Sequence, residues 1–302
     1  MTEKKRIGPS GLRRRLTAIF IALGLTMSGA GMLTAAAADE SGNDPGQAIS
    51  GRARQVTVLI DTDRYPGTTM LVNSVTYVGI REYAMYMGAH SVSWNSDAKT
   101  ATVISDNLNI KARYGSQYIE ANGRYLWAGS GILIQKGTMY VPVRVIAKAF
   151  GSSVDWDGGS FSALVSRPSG TPAIASGDSF YDSDDVYWLS RIIHAEAVGE
   201  PLSGKIAVGS VVLNRVRSSQ YPNNIYSVIF DRNYGVQFTP AANGTIYCEP
   251  SQESIIAAKL CLDGASISDR VLFFMNEAIA ESNWIANNRP YVMTVGNHKF
   301  YA

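Results

Sequence analysis

The feature that most limits the folds open to this chain is an imperfect internal repeat: Tyr77-Val78-Gly79-Ile80-Arg81 recurs as Tyr140-Val141-Pro142-Val143-Arg144. Each copy runs through a short helical pattern to a glycine, Gly88 or Gly151. Each then reaches a tryptophan, Trp94 or Trp156, and alternates apolar with polar residues over 100–104 or 161–165. Alternation with a period of two buries one face of a strand, so each copy reads as strand, helix and hairpin. Two such units predict one β-rich module over residues 56–166.

Around this module the composition changes. Residues 1–38 begin with Lys4, Lys5, Arg6, Arg13, Arg14 and Arg15, continue through an apolar stretch and end in Ala35–Ala38. That order predicts a secretory signal peptide rather than a membrane anchor, because Gly24, Ser28, Gly29 and Gly31 interrupt an already short segment. Cleavage before Asp39 removes six basic residues and one acid, turning the net charge from +2 to −3. The basic balance therefore belongs to the export signal, and no nucleic-acid partner is expected. Residues 39–55 read as a flexible lead-in and 167–182, with Pro168, Gly170 and Pro172, as a linker. A second domain follows over 183–302. Export permits a disulfide between Cys248 and Cys261, with two separate thiols as the alternative.

The repeated module resembles the copper amine oxidase N-terminal-like domain. Its single histidine, His90, is too few for a copper site, so no metal is expected there. Tyr77, Trp94, Trp127, Tyr140 and Trp156 are candidates for stacking on sugar rings, although such residues more often form core.

Chemistry is predicted in the second domain. Asp182-Ser183-Asp184-Asp185 suits a helix N-terminus, and Gly199 and Pro201 oppose continuation beyond it. On a helical wheel Val186, Trp188, Leu189, Ile192 and Ile193 share one face, and Glu196 falls near its centre. A carboxylate there is unfavourable unless paired, neutral or lining a cleft. Burial raises a carboxyl pKa far more than the helix dipole does, which would suit a general acid. The alternative is an ion pair with Arg215 or Arg289. A second helix is predicted over 205–217, with Asn214 off its apolar stripe, where it either faces a cleft or serves as a surface amide or local backbone hydrogen-bonding group. A loop over 218–250, a helix over 251–263 ended by Gly264, a strand over 271–275 and a hairpin turning at Gly296-Asn297 complete the reading.

The stretches Leu189-to-Pro201 (LSRIIHAEAVGEP), Ala207-to-Val216 (AVGSVVLNRV), Gln237-Phe238-Thr239, Asn243-Gly244 and Gly296-Asn297-His298 together resemble the SleB-type cell-wall hydrolases, which include the spore cortex-lytic enzymes. The resemblance implies an α+β chain in which a repeated β/α hairpin module precedes a helix-rich, lysozyme- or transglycosylase-like α+β catalytic domain. It implies an exported enzyme that cleaves peptidoglycan between N-acetylmuramic acid and N-acetylglucosamine, with Glu196 as catalytic acid and no cofactor. Glu200, Asn214, Gln237, Phe238, Thr239, Tyr247 and His298 are the candidate substrate-binding residues, with Glu200 alternatively a second catalytic carboxylate or a residue holding the turn before Pro201, and His298 alternatively hydrogen-bonded within the sheet. Peptidoglycan is the expected partner, with accessory wall or spore proteins besides. One departure is Glu277, which follows Asn276 where such proteins often carry proline. Two other readings compete: a zinc amidase, which needs three metal ligands where only His194 and His298 are at hand, and a wall-binding or spore-coat component without catalysis.

Overall fold

The computed structural model describes residues 54–169, 174–233, 235–280 and 282–302. The predicted signal peptide and nearly all of the lead-in lie outside the described residues. The chain divides into two compact units: the described residues up to Tyr187 together with Ile255–Ser266, and Trp188–Ser254 together with Ile267–Ala302.

The first unit is built mainly of strands. In chain order these are β1 (Thr57–Ile60), β2 (Asp63–Arg64), β3 (Thr69–Val72), β4 (Val75–Gly79), β5 (Ser91–Asn95), β6 (Thr100–Ser105), β7 (Leu108–Arg113), β8 (Tyr118–Ala121), β9 (Arg124–Trp127), β10 (Leu133–Gln135), β11 (Thr138–Pro142), β12 (Ser153–Asp157) and β13 (Ser162–Ser166). Helix α1 (Ile80–Tyr86) follows β4, α2 (Val143–Ala149) follows β11, and a single turn, α3 (Gly177–Phe180), comes later. The strands form three sheets, ordered β12-β13-β1-β2, β10-β11-β4-β3 and β5-β6-β7-β8-β9.

The repeat is the organising element of this unit. Its two copies, β4-α1-β5-β6 and β11-α2-β12-β13, meet through their first strands, which pair antiparallel with Tyr140 opposite Gly79 and Pro142 opposite Tyr77. Equivalent helix positions are buried in each copy: Ile80, Tyr83 and Ala84 in one, Val143, Ile146 and Ala147 in the other. Gly88 and Gly151 sit past the helix ends at φ +89° and +69°, a left-handed conformation that favours glycine. Strand β6 shows the predicted alternation, burying Ala101 and Val103, and β7 alternates as well, burying Leu108, Ile110 and Ala112 while exposing Asn109, Lys111 and Arg113. Tyr77 is fully buried, its hydroxyl donating to the Gly131 carbonyl, so it belongs to the core and not to a sugar-facing surface.

The second unit is helix-rich. It draws on α4 (Ser183–Ala197), α5 (Leu202–Arg217), α6 (Ile225–Ile229), α7 (Thr239–Asn243), a 3₁₀ turn at Thr245–Tyr247, α8 (Gln252–Leu262) and α9 (Trp284–Asn288). Helices α4 and α8 are each divided between the units. A small antiparallel sheet, ordered β14-β16-β15, is made by β14 (Phe273–Met275), β15 (Tyr291–Val295) and β16 (His298–Tyr301). With a strand-built unit and a helix-rich one, the chain is α+β. No helix among the described residues is long and apolar enough to cross a membrane.

Helix α4 begins where its acidic cluster predicts, with the Asp182 carboxylate accepting from the backbone N–H groups of Asp184 and Asp185. Helix α5 departs from expectation. Every residue from Gly204 to Arg215 is buried, so it is a central helix packed on all sides and has no solvent face. The region 218–250 is not one loop. The Asn224 side chain caps α6 by accepting from the Ser227 N–H, and Gly244 ends α7 at φ +86°. Cys248 is exposed, Cys261 is buried, and no disulfide joins them.

Candidate active site

Helix α4 delivers Glu196 from its last turn. Leu189, Ile192, Ile193 and Ala197 anchor the helix in the core, while Glu196 itself stays half-buried. Among the described residues nothing hydrogen-bonds or ion-pairs with its carboxyl group. Burial pushes that group up to about 7, and the nearby Arg215 guanidinium limits the rise. Such an acid is populated in both protonation states at neutral pH, so it can give up a proton and take one back.

Arg215 is placed by the burial of α5. Its Nε donates to the Leu272 carbonyl at 2.9 Å, and the guanidinium carbon lies 5.1, 5.0 and 5.4 Å from the ring centres of Tyr221, Phe238 and Phe273. Burial also lowers the Arg215 pKa, against the attraction of Tyr221, Asp231 and Glu196. The predicted alternative of a direct ion pair between Glu196 and Arg215 or Arg289 is not formed. Arg215 is held by a carbonyl and rings, and Arg289 lies over Phe273 and Trp284. Arg215 is instead a fixed positive charge close enough to favour the carboxylate once its proton leaves.

Two helical turns before Glu196, Trp188 enters an aromatic cluster. Its ring meets Tyr226, Phe230 and Tyr247 edge-on, with centroids 5.1, 5.2 and 6.2 Å away. Tyr226 and Tyr247 are more than half exposed, so the cluster presents ring surface to solvent. Trp188 lies eight positions before Glu196 on the helix, about 12 Å along the axis at about 1.5 Å per residue. Tyr247 was expected from the sequence. Tyr226 and Phe230 were not, and the available signal was their i, i+4 spacing inside a segment otherwise read as loop.

Glu200 is buried at the α4–α5 junction. Oε2 accepts from the Asn297 N–H at 3.1 Å and Oε1 from Asn297 Nδ2 at 3.0 Å. His298 Nδ1 lies 3.5 Å from Oε1 without hydrogen-bond geometry, and burial lowers the His298 pKa, leaving the ring neutral at pH 7. Lys205, also buried, donates to the Val198 and Glu200 carbonyls and pairs with Glu253 at 2.7 Å. These contacts fasten the chain leaving α4 to the β15–β16 turn.

The remaining sequence-predicted residues fall in different settings. Asn214 does not face a cleft: it is buried, and its Nδ2 donates to the Ser268 and Val271 carbonyls at 2.9 Å each. The full packing of α5 leaves it no open side. Phe238 is buried beneath Arg215 and against Phe274. Gln237 accepts from Arg215 at 3.4 Å and donates to the Gly235 carbonyl. Thr239 opens α7, and its Oγ1 is buried without a hydrogen-bond partner among the described residues. Gln237 and Phe238 thus meet Arg215, whose charge acts on Glu196. Glu200 and His298 form a separate group, and Tyr247 joins the aromatic cluster.

Residues 199–301 match the cell wall hydrolase family, and residues 61–164 match the copper amine oxidase N-terminal domain. The first match begins three residues after Glu196. The spore cortex-lytic enzyme of Bacillus subtilis (strain 168) is 33% identical over 120 residues, which cover 40% of this chain and 38% of that protein. The spore cortex-lytic enzyme of Oceanobacillus iheyensis is 33% identical over 131 residues, covering 43% and 46%. The match therefore spans less than half the length of these relatives. Among solved structures, the catalytic domain of the germination-specific lytic transglycosylase SleB from Bacillus anthracis is 32% identical with a TM-score of 0.37, covering 43% of this chain and all of that one. The catalytic domain of Bacillus cereus SleB is 31% identical with a TM-score of 0.36, covering 45% and 94%.

Proposed function

This chain joins a copper amine oxidase N-terminal-like domain to a cell wall hydrolase domain, and from that premise we propose that it cleaves the glycan strands of peptidoglycan with Glu196 as the proton donor. The observation that carries the reading is a half-buried carboxyl group, free of hydrogen bonds among the described residues and pushed up to about 7 by burial. Protonated Glu196 gives its proton to the glycosidic oxygen between N-acetylmuramic acid and N-acetylglucosamine as the bond to C1 breaks. The carboxylate left behind, steadied by Arg215, takes the proton of the muramic C6 hydroxyl while O6 bonds to C1. That closes a 1,6-anhydro ring and restores the acid without consuming water. One carboxyl group serves both steps, so Glu200 is free to remain in its structural contacts.

The aromatic cluster of Trp188, Tyr226, Phe230 and Tyr247 supports a glycan substrate, because exposed ring faces pack against the C–H faces of sugars. Relatives that are spore cortex-lytic enzymes support wall or cortex peptidoglycan as the polymer, and an extracellular or spore-envelope site of action. The signal peptide read over residues 1–38 supplies the route there. In the test, purified chain is added to a suspension of insoluble peptidoglycan and turbidity is followed. The native protein clears it and Glu196→Gln does not, while circular dichroism remains the same. Clearing by Glu196→Gln at the native rate rejects the assignment.

A further inference from the structure

The two repeat copies in the first unit are equivalent in backbone but not in surface chemistry. Each places a tryptophan on an outer strand, Trp94 on β5 and Trp156 on β12, with 46% and 41% of its surface exposed. Each places an arginine as the second residue of its helix, Arg81 on α1 and Arg144 on α2. In the second copy both side chains are occupied. Arg144 donates to the Val154 carbonyl, and the Trp156 ring is met edge-on by Phe161 at 5.0 Å.

In the first copy the same positions stay open. Lys99 stands where Phe161 stands in the other hairpin; both have left-handed backbone, at φ +48° and +54°. The Lys99 ammonium is directed to Tyr114, and among the described residues no aromatic ring meets Trp94. Arg81 is exposed and makes no hydrogen bond or ion pair among the described residues. Between them lies a cavity of about 190 Å³ lined by Arg81, Glu82, Ser93, Trp94 and Thr138. The Glu82 carboxylate is already held by the Thr68 N–H and hydroxyl at 2.5 and 2.6 Å, so it does not neutralise Arg81 directly.

We infer that this cavity of the repeated module is a glycan-binding site for a pyranose ring that carries a carboxylate on its substituent, stacked on Trp94 and ion-paired with Arg81. A cavity of about 150 Å³ holds one benzene ring, so this one is of the size for a single six-membered ring. The indole supplies a flat apolar face, the Ser93 and Thr138 hydroxyls pair with ring hydroxyls, and the guanidinium pairs with the acid. The inference rests on the reading that the chain acts on peptidoglycan, whose muramic rings carry, through an amide to the lactyl group, peptide stems with free carboxylates; N-acetylmuramic acid is the smallest probe with an acid on such a substituent. It makes the first unit the part that holds the polymer while the second cuts it.

The test uses the full chain carrying Glu196→Gln, so that nothing is cleaved, titrated with N-acetylmuramic acid and with N-acetylglucosamine. Binding is followed by nuclear magnetic resonance of the indole N–H signals. N-acetylmuramic acid should bind about tenfold more tightly than N-acetylglucosamine, the contribution of one charge-assisted pair, and should shift the Trp94 signal. Arg81→Gln should abolish that preference, and Trp94→Ala should weaken both sugars about tenfold. Trp156→Ala should change neither. Equal affinity for the two sugars, or loss of binding with Trp156→Ala and not with Trp94→Ala, overturns the site. In the chain with Glu196 intact, Trp94→Ala should slow clearing of insoluble peptidoglycan and leave cleavage of short soluble glycans unchanged. A chain that clears peptidoglycan normally with both Arg81 and Trp94 replaced sinks this inference alone. A native chain that neither binds nor clears it sinks the proposed function as well.

Discussion

Asn297 holds both carboxylate oxygens of Glu200, through its backbone N–H at 3.1 Å and its side-chain amide at 3.0 Å. A side chain so engaged is a fastener between the end of α4 and the β15–β16 turn. The turn is built around it: a Cβ on Gly296 would fall 1.7 Å from Glu200 Oε2, at a residue with φ +57°. Hydrogen bonds to a buried charge are worth about 1.5–3 kcal/mol each. Glu200→Ala should therefore lower stability by about 2–4 kcal/mol and Gly296→Ala by a similar amount, read from denaturant midpoints. The folded Glu200→Gln protein should keep its turnover within about tenfold, since the single-carboxyl scheme does not use it. A loss of about 10²-fold or more, on the scale of acid–base catalysis, would make Glu200 a second catalyst.

Glu196 should show the opposite balance of stability and activity. Its folded pKa of about 7 lies above the ordinary carboxyl value. Between those two pH values the folded state holds a proton that the unfolded state has lost, so stability falls as pH rises to about 7 and is constant beyond. Glu196→Gln removes the ionisable group and with it this penalty. The variant should match the native chain near pH 4 and exceed it at pH 8 by about 1–3 kcal/mol, measured by denaturant unfolding at both pH values. Turnover should fall by about 10²–10⁴-fold. A variant less stable than the native chain at pH 8 would show that Glu196 is held by partners and is not poised.

The proposed role of Glu196 also fixes an expected pH profile and product. With Glu196 as the proton donor only its protonated form starts the reaction, so kcat/KM should fall as pH rises through about 7. Ring closure by the C6 hydroxyl should leave muropeptides ending in 1,6-anhydromuramic acid, one water lighter than reducing ends. Mass spectrometry of the released fragments separates the two. Reducing ends throughout would mean that water is the acceptor and that a second group activates it.

How far these features are legible in the sequence depends on how local they are. The start of α4 is written in Asp182 and its neighbours, the end of α8 in Gly264 at φ +98°, and the strands β4 and β11 in the repeat, while their pairing appears only in the fold. The half-buried position of Glu196 follows from helical periodicity. Asn214 misleads because α5 is covered on all sides, including by carbonyls at Ser268 and Val271, which no wheel of α5 contains. The partners of Trp188 are likewise hidden, since Tyr226 and Phe230 reach it through the fold. Arg215 appears in the sequence as a potential ion-pair partner. Its actual role depends on the three rings around it.

The boundary between the units yields the last prediction. Residues 255–266 belong to the compact unit that contains the repeat, and Asp263 shows why. Its buried carboxylate accepts from Arg124 Nε and a terminal guanidinium nitrogen at 2.8 Å each, from Lys148 Nζ at 2.7 Å and from the Tyr181 hydroxyl at 3.2 Å. Burial by itself would raise the Asp263 pKa, but the bonds from Arg124 and Lys148 outweigh it and hold the carboxyl below its usual range. The group therefore contributes stability above about pH 4, which is lost as pH falls through the lower folded value. Asp263→Asn strands the buried Arg124 guanidinium, and breaking such a cluster costs about 3–5 kcal/mol. In the full chain the loss should appear in denaturant unfolding at pH 7 and shrink steadily below about pH 4. A protein beginning at Asp178 lacks Arg124 and Lys148, so its Asp263 has Tyr181 alone. There the same substitution should be neutral or stabilising, because it removes an uncompensated charge. An equal loss in both proteins would show that Asp263 is held by something other than the repeat module.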